Sequence, residues 1–217
     1  MNTYIDNYCE RLEPGLWAEP LNAVTNISFL IAAFLCYRLA KREEALHIQS
    51  LVLIALMCAI GVGSTLFHTF ATKLTLLSDV LPILLYQIAF IWFYALFVMR
   101  LHIYKVVCLF GAFLALTVLA ENAPSHILNG SLAYAPSILF LFGLGIWHLK
   151  TQQKEKYVLL SASFIFMASL TFRSIDMSLC ESFQIGTHFM WHILNGFVLY
   201  LATRSFILTF HKRSSGD

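Results

Sequence analysis

Thr187-His188-Phe189-Met190-Trp191-His192-Ile193-Leu194-Asn195-Gly196 opens an apolar run that continues to Phe210. As a helix, a run of this length crosses the ~30 Å of hydrocarbon in a bilayer. Within it His188 and His192 stand four residues apart, so on a helix they lie one above the other on a single face. An ionisable side chain is costly at that depth and marks a functional site by default. Two stacked imidazoles suggest a metal. A further ligand must then come from elsewhere in the chain, and His68 is the candidate.

Outward from that stretch, the same kind of run recurs. The 217 residues are 59% hydrophobic and only 12% charged, against about 25% charged in soluble domains, and the mean hydropathy is +0.74. Apolar blocks fall at about 21–39, 50–71, 74–98, 106–120, 131–149, 157–175 and 187–210. The pattern predicts an all-α integral membrane protein, a seven-transmembrane helix bundle. An arm (1–20), one membrane domain (21–210) and a short tail (211–217) follow from it. The arm is polar and mixed in charge, so no cleavable signal peptide is expected. Basic residues are scattered between the runs rather than gathered in a patch, which speaks against nucleic-acid binding. No protein partner is predicted.

Orientation comes from lysine and arginine. Arg38, Lys41, Arg42, Arg100, Lys105, Lys150, Lys154, Lys156, Arg204, Lys212 and Arg213 cluster at one side, while the other has Arg11, Lys73 and Arg173. The bias predicts a cytoplasmic carboxyl terminus and an extracytoplasmic amino terminus. Under that threading Ser64, His68, Asp79, Asp176, His188 and His192 share one depth, in the extracytoplasmic half. Three histidines with an open position are the layout of a catalytic zinc site, whereas structural sites are closed by four protein ligands.

Asp79 follows across the tight Thr72-Lys73 connection. It is either a base that takes a proton from water or a partner that orients a histidine ring. Ser64, one turn before His68, is either a donor to a developing oxyanion or a small packing residue beside Gly61 and Gly63. Asp176, three residues after Arg173, reads as half of a structural ion pair. His47, His102, His126, His148 and His211 are assigned no site. Cys9 and Cys180 fall on the extracytoplasmic side, where disulfides persist, and a bridge between them is expected over a free pair. Cys36, Cys58 and Cys108 read as small apolar residues. Asn129-Gly130-Ser131 is a glycosylation sequon on the same side.

Taken together, these segments resemble the alkaline ceramidase family, part of a seven-span hydrolase superfamily that includes the progestin and adipoQ receptors. The resemblance rests on Cys9-Glu10, Ala18-Glu19-Pro20-Leu21-Asn22, Ser64 to His68, Asp79, Ile175-Asp176 with Cys180, and His188-x2-Trp191-His192-Ile193-Leu194-x-Gly196. It implies an intramembrane amidase cleaving ceramide, or a related N-acyl lipid of the membrane, to a sphingoid base and a fatty acid. His68, His188 and His192 would bind zinc, Asp79 would activate water and Ser64 would assist at the oxyanion. Such a protein would sit in a bacterial inner membrane or a eukaryotic ER- or Golgi-type membrane. The resemblance also implies a calcium site in the arm, at Asn7, Tyr8, Glu10 and Glu19. Asn7 stands where the family has an aspartate, the spacing from Cys9 to Glu19 is shorter by two residues, and Val80 replaces an acid. Since some relatives are described as receptors, the alternative is a receptor-like seven-helix protein with structural zinc and little turnover. A metal or ion transporter ranks below both, because few polar residues continue into the cytoplasmic half.

Overall fold

The structure is a computed structural model that describes residues 4–124 and 126–214, with the side chains of 211–214 left out. The seven apolar blocks are seven helical spans: Pro20–Arg42, Ile48–Phe70, Lys73–Val98, Ile103–Glu121, Ile127–Lys150, Val158–Ile175 and His188–Phe210. No strand occurs among the described residues; one isolated bridge pairs Tyr4 with Thr72. Only helices satisfy their backbone groups internally, which is what hydrocarbon demands of a spanning segment. The chain is therefore a multi-pass membrane protein. Of the expected tail 211–217, the backbone continues as helix to Ser214 and the rest lies outside the described residues.

The first span is two helices, α1 (Pro20–Thr25) and α2 (Ile27–Arg42), with Asn26 between them. That break is not visible in hydropathy. Its cause is local: the Thr25 hydroxyl donates to the Leu21 and Asn22 carbonyls, and Asn26 Nδ2 donates to Asn22 O at 2.9 Å. Side chains that bond the preceding turn bend helices there. Then come α3 (Ile48–Phe70), α4 (Lys73–Phe93) with a π-helical turn at Tyr94–Val98, and α5 (Ile103–Glu121). A 3-10 turn (Ile127–Tyr134) leads into α6 (Ala135–Lys150), followed by α7 (Val158–Ile175) and α8 (His188–Ser214). The core runs along α8, where Val198, Phe206 and Ile207 meet Phe29, Met57 and Ile60. Leu74, Val118, Leu119 and Phe34 face outward, as a lipid-facing surface requires.

Two features set the register of the site. The α3–α4 turn is short because Ala71 closes α3 in the left-handed conformation (φ 47°) and Thr72 caps α4 in a reciprocal capping box with Thr75. The helices then run back side by side. At Gly63 a Cβ would stand 1.9 Å from the Ser78 carbonyl oxygen, so only glycine permits this approach of α3 to α4. Ser64, His68 and Asp79 are thereby brought to one end of one helix pair, the end reached by the amino-terminal arm.

Candidate metal centre

His188 and His192 project from the first turns of α8, and His68 faces them from the end of α3. The ring of His68 lies 4.7 Å from that of His192 and 5.3 Å from that of His188, centroid to centroid. One nitrogen from each ring can be chosen so that all three lie within 4.8 Å of one another. The arrangement is buried. His68 Nε2, His188 Nδ1 and His192 Nε2 have no hydrogen-bond partner among the described residues. Leaving one buried nitrogen unpaired costs about 1–3 kcal/mol. Three converging on one point are accounted for together if they share a cation.

The other sides of the rings are held. His68 Nδ1 is hydrogen-bonded to the Glu19 carboxylate, which can only accept, so Nδ1 carries the proton and Nε2 presents a lone pair. The Thr25 hydroxyl lies 3.0 Å from His192 Nδ1 and spends its own hydrogen on carbonyls of α1. It therefore accepts from Nδ1, again leaving Nε2 as the free lone pair. His188 is fixed by stacking: Tyr8 lies over it at 3.7 Å and 19°. Partners of this kind orient metal-binding imidazoles. Sequence reasoning missed all three, because they come from the arm and α1, far away along the chain.

Asp79 is buried on α4, and Ser64, buried on α3, lies close to its carboxylate. The expected serine, aspartate and three histidines are thus gathered at one place. Asp176 needs a correction. It does not pair with Arg173; its Oδ1 accepts from the backbone N–H of Thr187 (2.6 Å) and His188 (2.9 Å), and its Oδ2 from that of Cys9 (3.0 Å). It caps the first turn of α8 from the end of α7, satisfying donors that a helix start leaves orphaned. Gly186, at φ +67°, passes so close that a Cβ would meet Asp176 Oδ1 at 2.3 Å. Arg173 points elsewhere, donating to Asn129 O at 2.6 Å and Ser131 Oγ at 2.9 Å.

The Cys9–Cys180 bridge is present and ties the arm to the loop before α8. The residues expected to hold calcium are engaged in other ways. Asn7 is exposed. Tyr8 covers His188, and Glu10 accepts from the backbone N–H of Leu21 (2.6 Å) and Asn22 (2.8 Å). Glu19 is bonded to Arg11, Asn22 and His68. Burial pushes the Glu19 carboxyl upward, but His68 and Arg11 outweigh it and hold the group below the usual carboxylate value. Burial likewise raises Glu10, against the two N–H donors that lower it.

Beside the cluster opens an apolar cavity of about 70 Å³, walled by residues such as Phe29, Tyr86, Phe90, Tyr134, Trp191 and Leu199. Phe29 lies 6.3 Å from the His192 ring and Trp191 lies 6.4 Å from the His188 ring. The cavity therefore begins where the histidines end. His148, assigned no site, is a satisfied packing residue between the Tyr94 hydroxyl and Lys154 O.

Fold and site together define a multi-pass membrane protein with a buried three-histidine cluster that could hold a metal ion. The chain belongs to the ceramidase family, whose family model matches residues 6–216. The family implies a hydrolase acting on amides. No curated protein matches the chain.

Proposed function

We propose that this chain is a zinc-dependent intramembrane amidase that hydrolyses the amide of ceramide, or of a related N-acyl sphingolipid, to a sphingoid base and a free fatty acid. The observation that carries the reading is the convergence of three orphaned, buried histidine nitrogens beside the Ser64–Asp79 pair, at the mouth of an apolar cavity. The donor set suits zinc: three imidazoles, two of them with a hydrogen-bond partner behind the ring and the third held by stacking. A zinc ion held by His68, His188 and His192 would polarise the carbonyl and lower the pKa of a water to about 7.

The chain's own residues supply the rest. Asp79 takes the proton of the attacking water as its oxygen bonds to the carbonyl carbon. Ser64 turns its hydroxyl from Asp79 to the oxyanion that develops. Asp79 then gives the proton to the nitrogen as the C–N bond breaks, releasing amine and acid. One substrate chain fills the cavity beneath Trp191 while the amide stays level with the histidines. The basic-residue bias supports a site in the extracytoplasmic half, with the amino terminus outside.

The test is incubation of the purified chain with a panel of ceramides and other N-acyl lipids, with and without a zinc chelator, reading released fatty acid by mass spectrometry. Chelator-sensitive release from ceramides is expected. Zinc content without turnover on any member of the panel would favour the receptor-like alternative.

A further inference from the structure

Arg11 is the one lysine or arginine in the arm, and it is buried: its side chain and that of Glu19 are 0% and 1% exposed. Its guanidinium reaches both halves of the His68 environment. Nε bonds the Glu19 carboxylate, whose other oxygen holds His68 Nδ1, and Nη2 donates to the His68 backbone carbonyl at 2.8 Å. Nη1 donates to the Tyr4 hydroxyl at 3.0 Å. A calcium ion in the arm would need six to eight oxygens at ~2.3–2.6 Å, with carboxylate charge among them. Of the two carboxylates in the expected set, Glu19 already accepts from Arg11, Asn22 and His68, and each oxygen of Glu10 accepts from an N–H of the first turn of α1. The buried Arg11 guanidinium also puts its positive charge on the Glu19 carboxylate that a calcium ion would need. The donors in place do not fit calcium.

We infer that Arg11 is a built-in cation that does the work of an ion in this arm, a positioning residue that sets the metal-binding ring of His68 through Glu19. The inference rests on the zinc reading for its second half only. Arginine suits the task because its rigid fork can serve a carboxylate and a carbonyl at once, which a lysine ammonium on a flexible stem does not. Two consequences are separable. Wild-type chain takes up no calcium, and loss of the guanidinium loosens the grip on zinc.

The test uses the full-length chain in detergent. Bound calcium is measured by elemental analysis after equilibration with millimolar CaCl2, and the thermal midpoint is compared in CaCl2 and in EGTA. No stoichiometric calcium and one common midpoint are expected; a calcium ion bound per chain with a raised midpoint would overturn the first consequence, whatever the zinc content. Zinc transfer to a colorimetric chelator is then compared for wild type, Arg11→Lys and Arg11→Gln. We expect zinc affinity in Arg11→Gln to fall about 10–100-fold, the range for loss of a group behind a ligand, with Arg11→Lys between it and wild type. Tyr94→Phe, which loosens a buried contact of the π-helical turn with α6, reports the effect of destabilisation alone and should leave zinc transfer unchanged. Wild-type zinc affinity in both arginine variants, or an equal loss in Tyr94→Phe, would overturn the positioning role. If Arg11→Gln does not fold, Arg11→Lys alone decides, by weakened or unchanged zinc retention.

Discussion

The Thr25 hydroxyl lies 3.0 Å from Nδ1 of His192, across 167 residues of chain. The contact falls where the first span breaks: the hydroxyl that bonds the preceding turn of α1 also offers an acceptor to the histidine face of the last helix. Thr25→Val keeps the shape and removes the acceptor. Zinc affinity should drop about tenfold or more, while Thr25→Ser keeps it, both read by chelator competition.

The histidines and Asp79 should separate cleanly. His68→Ala or His192→Ala loses bound zinc and amide hydrolysis together. Asp79→Asn retains zinc but loses about 10²–10⁴ in kcat, the contribution typical of a positioned acid-base group. Ser64→Ala also retains zinc and costs kcat about 10²-fold, as for loss of one oxyanion donor. Zinc content beside single-turnover rates checks all four, and full activity in Asp79→Asn would remove the base assignment.

Asp176→Ala leaves the N–H groups of Cys9, Thr187 and His188 without their acceptor. A destabilisation of at least about 2 kcal/mol is expected, given ~1–3 kcal/mol for each unsatisfied buried group. Because the cap sits at His188, zinc retention should fall as well. Thermal unfolding and zinc content are the measurements.

How much of this was legible in the sequence follows from the range of each interaction. The seven spans are written in local composition, and His188 and His192 in helical spacing, so both could be read directly. Ser64, His68 and Asp79 could be placed together because a tight turn between apolar runs leaves one way to fold back. Asp176 could not be assigned correctly. An arginine three residues earlier looks like its partner, but the donors it serves are backbone N–H groups, which no side-chain pattern reveals. Tyr8, Arg11, Glu19 and Thr25 were opaque as histidine partners for a related reason. Their targets are fixed by how the arm and α1 fold over the bundle, and the Cys9–Cys180 bridge was the one sequence feature pointing there.

The cavity should govern chain preference. Ser137, on α6, lines it, and Ser137→Phe would fill part of the space without touching the histidines. The expected result is a fall in kcat/KM of about tenfold for long-chain substrates relative to short-chain ones, a discrimination of the size hydrophobic pockets achieve. Equal loss for all chain lengths would argue against a chain in this cavity.

The most direct test of the account is metal analysis with X-ray absorption on the purified wild-type chain. Three histidines that each offer a nitrogen within 4.8 Å of the others, and that each carry a buried nitrogen with no partner, predict one zinc per chain, with Zn–N distances of about 2.0–2.1 Å and no sulfur ligand. A chain that stays metal-free after exposure to zinc, or that binds it equally well once His68 and His192 are both replaced by alanine, would contradict it.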